Sequence, residues 1–297
     1  MSTHTWWPFE PLHGFRNSGI GLAEASPGVA DPCLVKLATP TALSKPARDL
    51  TRREARDIAV YLVGQGAFSL KSAARFGTAC QIVQPQPASR LVVEPAVIDG
   101  VRFVNRVNRT ANLIDNLDVR MVVALYRLAN MLRITWGVTE IHHLGIGHGG
   151  GPPTDCHNTG RAIDLAGVAG VISGSSTPTL NGPYQLDVKR DWGNRPVVMP
   201  DGSSRADWPS TFTATSYRLG PSPNFLAFAI FRDIYTTATR QFADTSTAPG
   251  GNGAPTTLGR SSRFIIHPDH PSHTLRLAHR DHIHMQIGPT GQEVSPP

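Results

Sequence analysis

The chain is expected to fold as an α+β protein. Three observations carry that expectation: helices with recognisable caps, two segments with the period-2 alternation of a strand, and a long helix running straight into a strand. Residues 1 to about 47 are rich in Pro, Gly and aromatics, and Trp6, Trp7 and Phe9 are expected to fold back on the body. The first helix starts at Thr51, whose spacing to Glu54 makes a capping box. Ala55, Ile58, Ala59 and Leu62 share one face, and Gly64 suits the stop. Arg52, Arg53 and Arg56 are expected on its solvated side. A second short helix is expected over Ser69–Phe76, then a connector at Gln84–Pro87 and strands from Arg90 to Val107. The best helix has Asp118 as N-cap and an apolar stripe of Met121, Val122, Leu125, Leu128, Ala129 and Leu132. It leads into a strand over Ile134–His142. A Gly/Pro/Ser-rich stretch over residues 167–222 precedes a helix from Asn224 to Phe242. Arg263–His267 and His282–Ile287 complete the strands. These readings divide the chain into a mainly helical, loop-rich region, 1–109, and a domain, 110–297, in which helix and strand pack together in one α+β layer.

Composition narrows the class of partner. Lys and Arg total 28 against 22 Asp and Glu, a mild preference for anionic partners such as nucleic acid, cell wall or acidic lipid headgroups. No dense basic stripe or nucleic-acid motif accompanies that charge, so nucleic acid is not an expected partner. No apolar run approaches the ~20 residues of a membrane span. Three cysteines, Cys33, Cys80 and Cys156, are too few for a disulfide framework, and nothing supports a Cys33–Cys80 bridge. Met1–Ile20 lacks a basic segment followed by an apolar one, so no ordinary secretory signal is expected.

Histidine placement carries the chemistry. In His282-Ile283-His284-Met285-Gln286-Ile287 the polar residues face one way and the apolar ones the other. Two imidazoles on one strand face suit metal binding. His157 and Asp164 supply further ligands: Gly160 permits a turn between them, while Ile163 and Leu165 point inward and leave Asp164 among Ala162 and Ala166. His157, Asp164 and His284 make two imidazoles and one carboxylate with a vacant fourth position, the composition of a catalytic zinc site. His142, His143 and His148 are expected at the surface. His267, His270 and His273 are expected behind or around the site, and Cys156 outside it.

The pair His157-x6-Asp164 and His282-x-His284 resembles the signature of the metallopeptidase superfamily that includes D-alanyl-D-alanine carboxypeptidases, lysostaphin-type enzymes and the hedgehog fold. Gly160-Arg161-Ala162-Ile163-Asp164, Asp191-Trp192-Gly193, Phe225-Leu226 and the His279-to-His284 ending are similar to the bacterial extensin-like C-terminal family. The His-x2-His-x-His ending is also similar to that of penicillin-insensitive murein endopeptidases. The resemblance covers about residues 130–290. It implies Zn2+ held by His157, Asp164 and His284 on a small antiparallel sheet flanked by helices, and cleavage of a peptide bond in peptidoglycan. By analogy with the carboxypeptidases, Asp281 is the general base. By analogy with the murein endopeptidases, His279 and His282 line the site. Alternation puts His282 on the metal face, and the preferred assignment is Asp281 as base with His282 polarising the oxyanion. The chain departs from the pattern in having Asp155 where a Ser is usual, and in lacking the arginine element that grips a substrate carboxylate before His157. Those departures speak against a carboxypeptidase acting on a free C-terminus and favour an endopeptidase or a different amide. With no secretory signal, the expected setting is synthesis in the cytoplasm and action in the periplasm or cell wall. That setting implies a toxin or lysin delivered by a phage or secretion apparatus, with an immunity protein as a further partner. A metal-binding cell-wall recognition module without turnover is the alternative.

Overall fold

The computed structural model describes residues 39–71, 90–151, 153, 155–173, 181–192, 196–198, 204–206, 225–242, 265–268 and 273–287. The aromatic N-terminus, Cys33, Cys80, the Gln84–Pro87 connector, Gly193 and His270 lie outside them, as does most of the expected Ser69–Phe76 helix.

Capping and patterning explain the helices. Helix α1 (Arg52–Gly64) opens on Thr51, which forms the expected capping box with Glu54. It ends at Gly64, as expected, with Gln65 as C-cap, and a left-handed residue follows at Gly66 (φ +74°). Residues 69–71 are extended rather than helical: Leu70 bridges Val93, and Lys71 N–H donates to Val92 O (2.9 Å). Helix α2 (Val119–Trp136) is capped by the Asp118 side chain, which accepts the Arg120 N–H. All six residues of its expected apolar stripe are fully buried. Such burial stabilises by roughly 1.5–3 kcal/mol for each large side chain. Gly137 ends α2 in the left-handed conformation (φ +61°), so the next strand starts at Val138 instead of Ile134.

The sheet is larger and less uniform than expected. It has seven strands: β2 (Val97–Ile98), β3 (Val101–Asn105), β5 (Val138–Ile146), β6 (Ala162–Ile172), β7 (Gly182–Asp187), β10 (Ile265–Ile266) and β11 (Ile283–Gln286). The order is β10-β11-β6-β5-β3-β2, with β7 also on β6, and β3 pairs with β5 in parallel. Two-stranded sheets join β1 (Leu91–Val93) to β4 (Ile114–Leu117) and β8 (Pro196–Val198) to β9 (Ser204–Ala206). The expected boundary at 109/110 therefore cuts through one sheet, since β2 and β3 precede it. The hydrophobic core is also shared across it, and α1 packs on α2.

Strand β6 is the spine. Its first part pairs with β11 and its second with β7, while its other edge pairs with β5. Ile163, Leu165, Val168, Ile283 and Met285 point into the core with α2. Period-2 alternation then sends Asp164 and His284 to the opposite face. Helices α3 (Val188–Asp191), α4 (Phe225–Gln241) and α5 (His273–Ala278) complete the chain; α4 lies against α2. No helix among the described residues is long and apolar enough to cross a membrane.

Candidate metal centre

Register brings the two halves of the site together. In the antiparallel β6–β11 pair, Asp164 lies directly opposite His284. His157 comes from the loop before β6, which several backbone contacts hold. Asp155 Oδ1 accepts the His157 N–H (2.8 Å), and Gly160 turns the chain at φ +72°. Any side chain at Gly160 would collide with the Asn116 carbonyl, because the loop packs on the N-terminus of α2. There Asp118 N–H donates to Gly160 O (2.9 Å), and Asn116 Nδ2 donates to the carbonyls of Gly147 and Asn158. Arg161 closes the other end: its Nη1 donates to Ile287 O (3.1 Å), and Ile287 N–H donates to Arg161 O (2.8 Å).

Three ligand-type atoms converge as a result. His284 Nδ1 is 2.9 Å from Asp164 Oδ1, His157 Nε2 is 3.2 Å from the same oxygen, and the two nitrogens are 3.2 Å apart. A tetrahedral ion with bonds of about 2.0–2.1 Å spaces its ligands about 3.3–3.4 Å apart, close to this triangle. The donor chemistry fits as well. His284 Nε2 faces Gln286 Oε1 at 2.8 Å, and an amide oxygen only accepts, so Nε2 carries the proton. In the neutral ring, Nδ1 then holds a lone pair aimed at a carboxylate oxygen, an arrangement that a cation between them resolves. His157, Asp164 and His284 could hold a metal. Burial would raise the Asp164 pKa, but the His157 and His284 imidazoles that face the carboxyl outweigh it and hold it far below the usual carboxylate range.

Two further imidazoles stand beside the triangle. His282 Nε2 is 3.5 Å from Asp164 Oδ1, and its Nδ1 is 2.8 Å from Asp281 Oδ1. The carboxylate fixes Nδ1 as the protonated nitrogen, leaving the Nε2 lone pair toward the site. Asp281 thus sits behind His282, with its side chain 41% exposed. His279 Nδ1 donates to Leu275 O (2.7 Å), and its ring centroid lies 4.9 Å from that of His282 and 5.5 Å from that of His284. Desolvation pushes the His279 pKa down to about 4.

The other histidines divide differently from the sequence reading. His148 is exposed and pairs with Asp115 (2.9 Å), as a surface histidine should. His142 and His143 are buried. His142 lies between Arg106 and Glu140 (3.0 Å each), and Arg106 also pairs with Asp187. Burial pushes the His143 pKa down to about 4. His267 is fully buried and stacks on Trp192 (5.5 Å, 18° between planes), inside an aromatic cluster with Tyr235 and Phe231. Cys156 is buried and contributes no atom to the triangle. The sequence reading missed Asn116 and the Arg106 pairing, both set by contacts distant in the chain. The His–Gln spacing on β11 was visible, but its hydrogen bond was not. Comparison of the chain with protein-family models, curated proteins and solved structures returns no match, so the reading of this site rests on its geometry.

Proposed function

We propose that the protein is a zinc-dependent peptidoglycan hydrolase that cleaves an amide bond of the stem peptide or cross-link. The observation that carries the reading is the triangle of His157 Nε2, Asp164 Oδ1 and His284 Nδ1, flanked by an imidazole whose free nitrogen points at it. Zinc bound there would lower the pKa of its water toward ~7 and polarise the scissile carbonyl. His282 Nε2 accepts the proton of the attacking water, and Asp281 holds the ring in that tautomer and stabilises the imidazolium. This assignment differs from the one expected from sequence, Asp281 as base with His282 polarising the oxyanion, and is supported by the pairing of Asp281 Oδ1 with the His282 ring whose Nε2 faces Asp164. The His282 imidazolium then returns that proton to the departing amine, and His279, its Nδ1–H tied to Leu275 O, lines the site beside it with ring centroids 4.9 Å apart.

Peptidoglycan as substrate rests on the resemblance of the two histidine motifs, and the mild positive charge suits an anionic wall. The test is a mass-spectrometric muropeptide profile of purified sacculi treated with zinc-loaded protein or the His284→Ala variant. Loss of cross-linked dimers, or shortened stems, with the wild type alone is the expected result. Identical profiles, with one zinc bound, would overturn hydrolysis of the wall and leave a metal-binding recognition module.

A further inference from the structure

The candidate ligands differ in how their nitrogens are fixed. His157 Nδ1 is buried without a hydrogen-bond partner among the described residues, so nothing there selects a tautomer for that ring. His284 is different: its ring lies between the triangle at Nδ1 and Gln286 at Nε2, and both residues are buried. They sit two positions apart on β11, so alternation places the amide on the same face as the imidazole. Neighbouring Ile283 and Met285 are fully buried in the core, which pins the strand and prevents either polar side chain from rotating to the other face.

We infer that Gln286 is a positioning residue for metal capture: its Oε1 accepts the Nε2–H of His284, and so favours presenting Nδ1 to the ion against the pull of the Asp164 carboxylate on that proton. The inference deepens the zinc reading and rests on it. An isolated neutral imidazole divides its proton between both nitrogens, and any fraction protonated at Nδ1 cannot bind metal without first losing that proton. Removing the partner of a ligating histidine typically weakens metal binding 10–100-fold.

Two variants separate this role from simple packing. Gln286→Leu keeps the approximate volume and removes the acceptor, whereas Gln286→Glu keeps an acceptor at the same reach. Competition titration with a chromogenic chelator should show zinc affinity about 10–100-fold weaker in the Leu variant. The Glu variant should stay within a few fold of wild type. Nitrogen-15 shifts of His284 in the metal-free protein, above the ordinary histidine titration range, should report a larger Nε2–H share in wild type than in the Leu variant, where the Asp164 carboxylate alone draws the proton to Nδ1. Equal zinc affinity in wild type and the Leu variant would overturn the inference, as would a Glu variant as weak as the Leu variant. If the wild type takes up no zinc at all, the metal reading fails on its own. The tautomer of His284 then decides the role of Gln286 separately, and an Nε2–H share no larger in wild type than in the Leu variant would overturn it.

Discussion

Asp281 and His282 are neighbours in sequence, and the His282 ring lies between the Asp281 carboxylate and the candidate metal centre. His282 Nε2 stands 3.5 Å from Asp164, whereas Asp281 touches the far nitrogen of the same ring. Position in the chain had suggested Asp281 as base, because motif spacing does not reveal which way an acid turns at the start of a strand. The geometry makes the pair separable by kinetics. Replacing His282 by Ala should lower kcat by roughly 10²–10⁴-fold, the usual contribution of a general base. Zinc content, measured by atomic emission, should not change. Asp281→Asn should lose part of that activity and retain the metal; a loss of zinc equal to that of His284→Ala would instead make Asp281 a ligand. His157, Asp164 and His284 were legible because strand alternation fixes facing, and a turn glycine fixes where the chain reverses. His142 and His143 were not, since two adjacent polar residues on a strand carry no periodic sign of burial.

At the scale of elements, caps were the clearest signal, because Thr51–Glu54 and Asp118 satisfy donors that every helix leaves open. Stops were mixed: α1 ends at the expected Gly64, whereas α2 runs past Ile134 to Trp136 and is closed by the left-handed Gly137. The loop carrying His157 depends on Gly160 more than on any other residue in it, through both its positive φ and its contact with Asn116. Gly160→Ala should therefore destabilise the protein by at least ~1–3 kcal/mol and weaken zinc binding, measured by urea unfolding and chelator competition. Unchanged unfolding and zinc affinity in that variant would show that the loop tolerates the shift. Leu125→Ala, in the fully buried stripe of α2, should cost about 2–5 kcal/mol in the same unfolding assay. Its zinc affinity should stay near wild type, because α2 covers the face of the sheet opposite the site.

For the molecule as a whole, the fold class was legible and the division into two units was not. Pairing of β3 with β5 joins residues on either side of 109, and parallel pairing leaves no turn signal between its strands. Asp118 shows how tightly the parts are joined: it caps α2, pairs with Arg120 (3.0 Å), and has Arg52 and Arg90 at 3.5 and 3.9 Å. Burial would raise its pKa, but the Arg120 charge and hydrogen bonds outweigh that and hold it below the ordinary carboxylate range. A depressed folded pKa contributes stability that is present above the unfolded value, about 4, and is lost as pH falls through the folded value. Acid unfolding of the wild type should therefore be steeper below about pH 4 than that of Asp118→Asn, which lacks this titration. Parallel acid curves for the two proteins would show that Asp118 is not depressed. The most direct test of the central claim is zinc stoichiometry and affinity by chelator competition, in the wild type and in His157→Ala, Asp164→Ala and His284→Ala, with circular dichroism to confirm folding. One tightly bound zinc in the wild type, and weak or no binding in all three folded variants, is the predicted result. A wild type that binds no more zinc than the variants would contradict it.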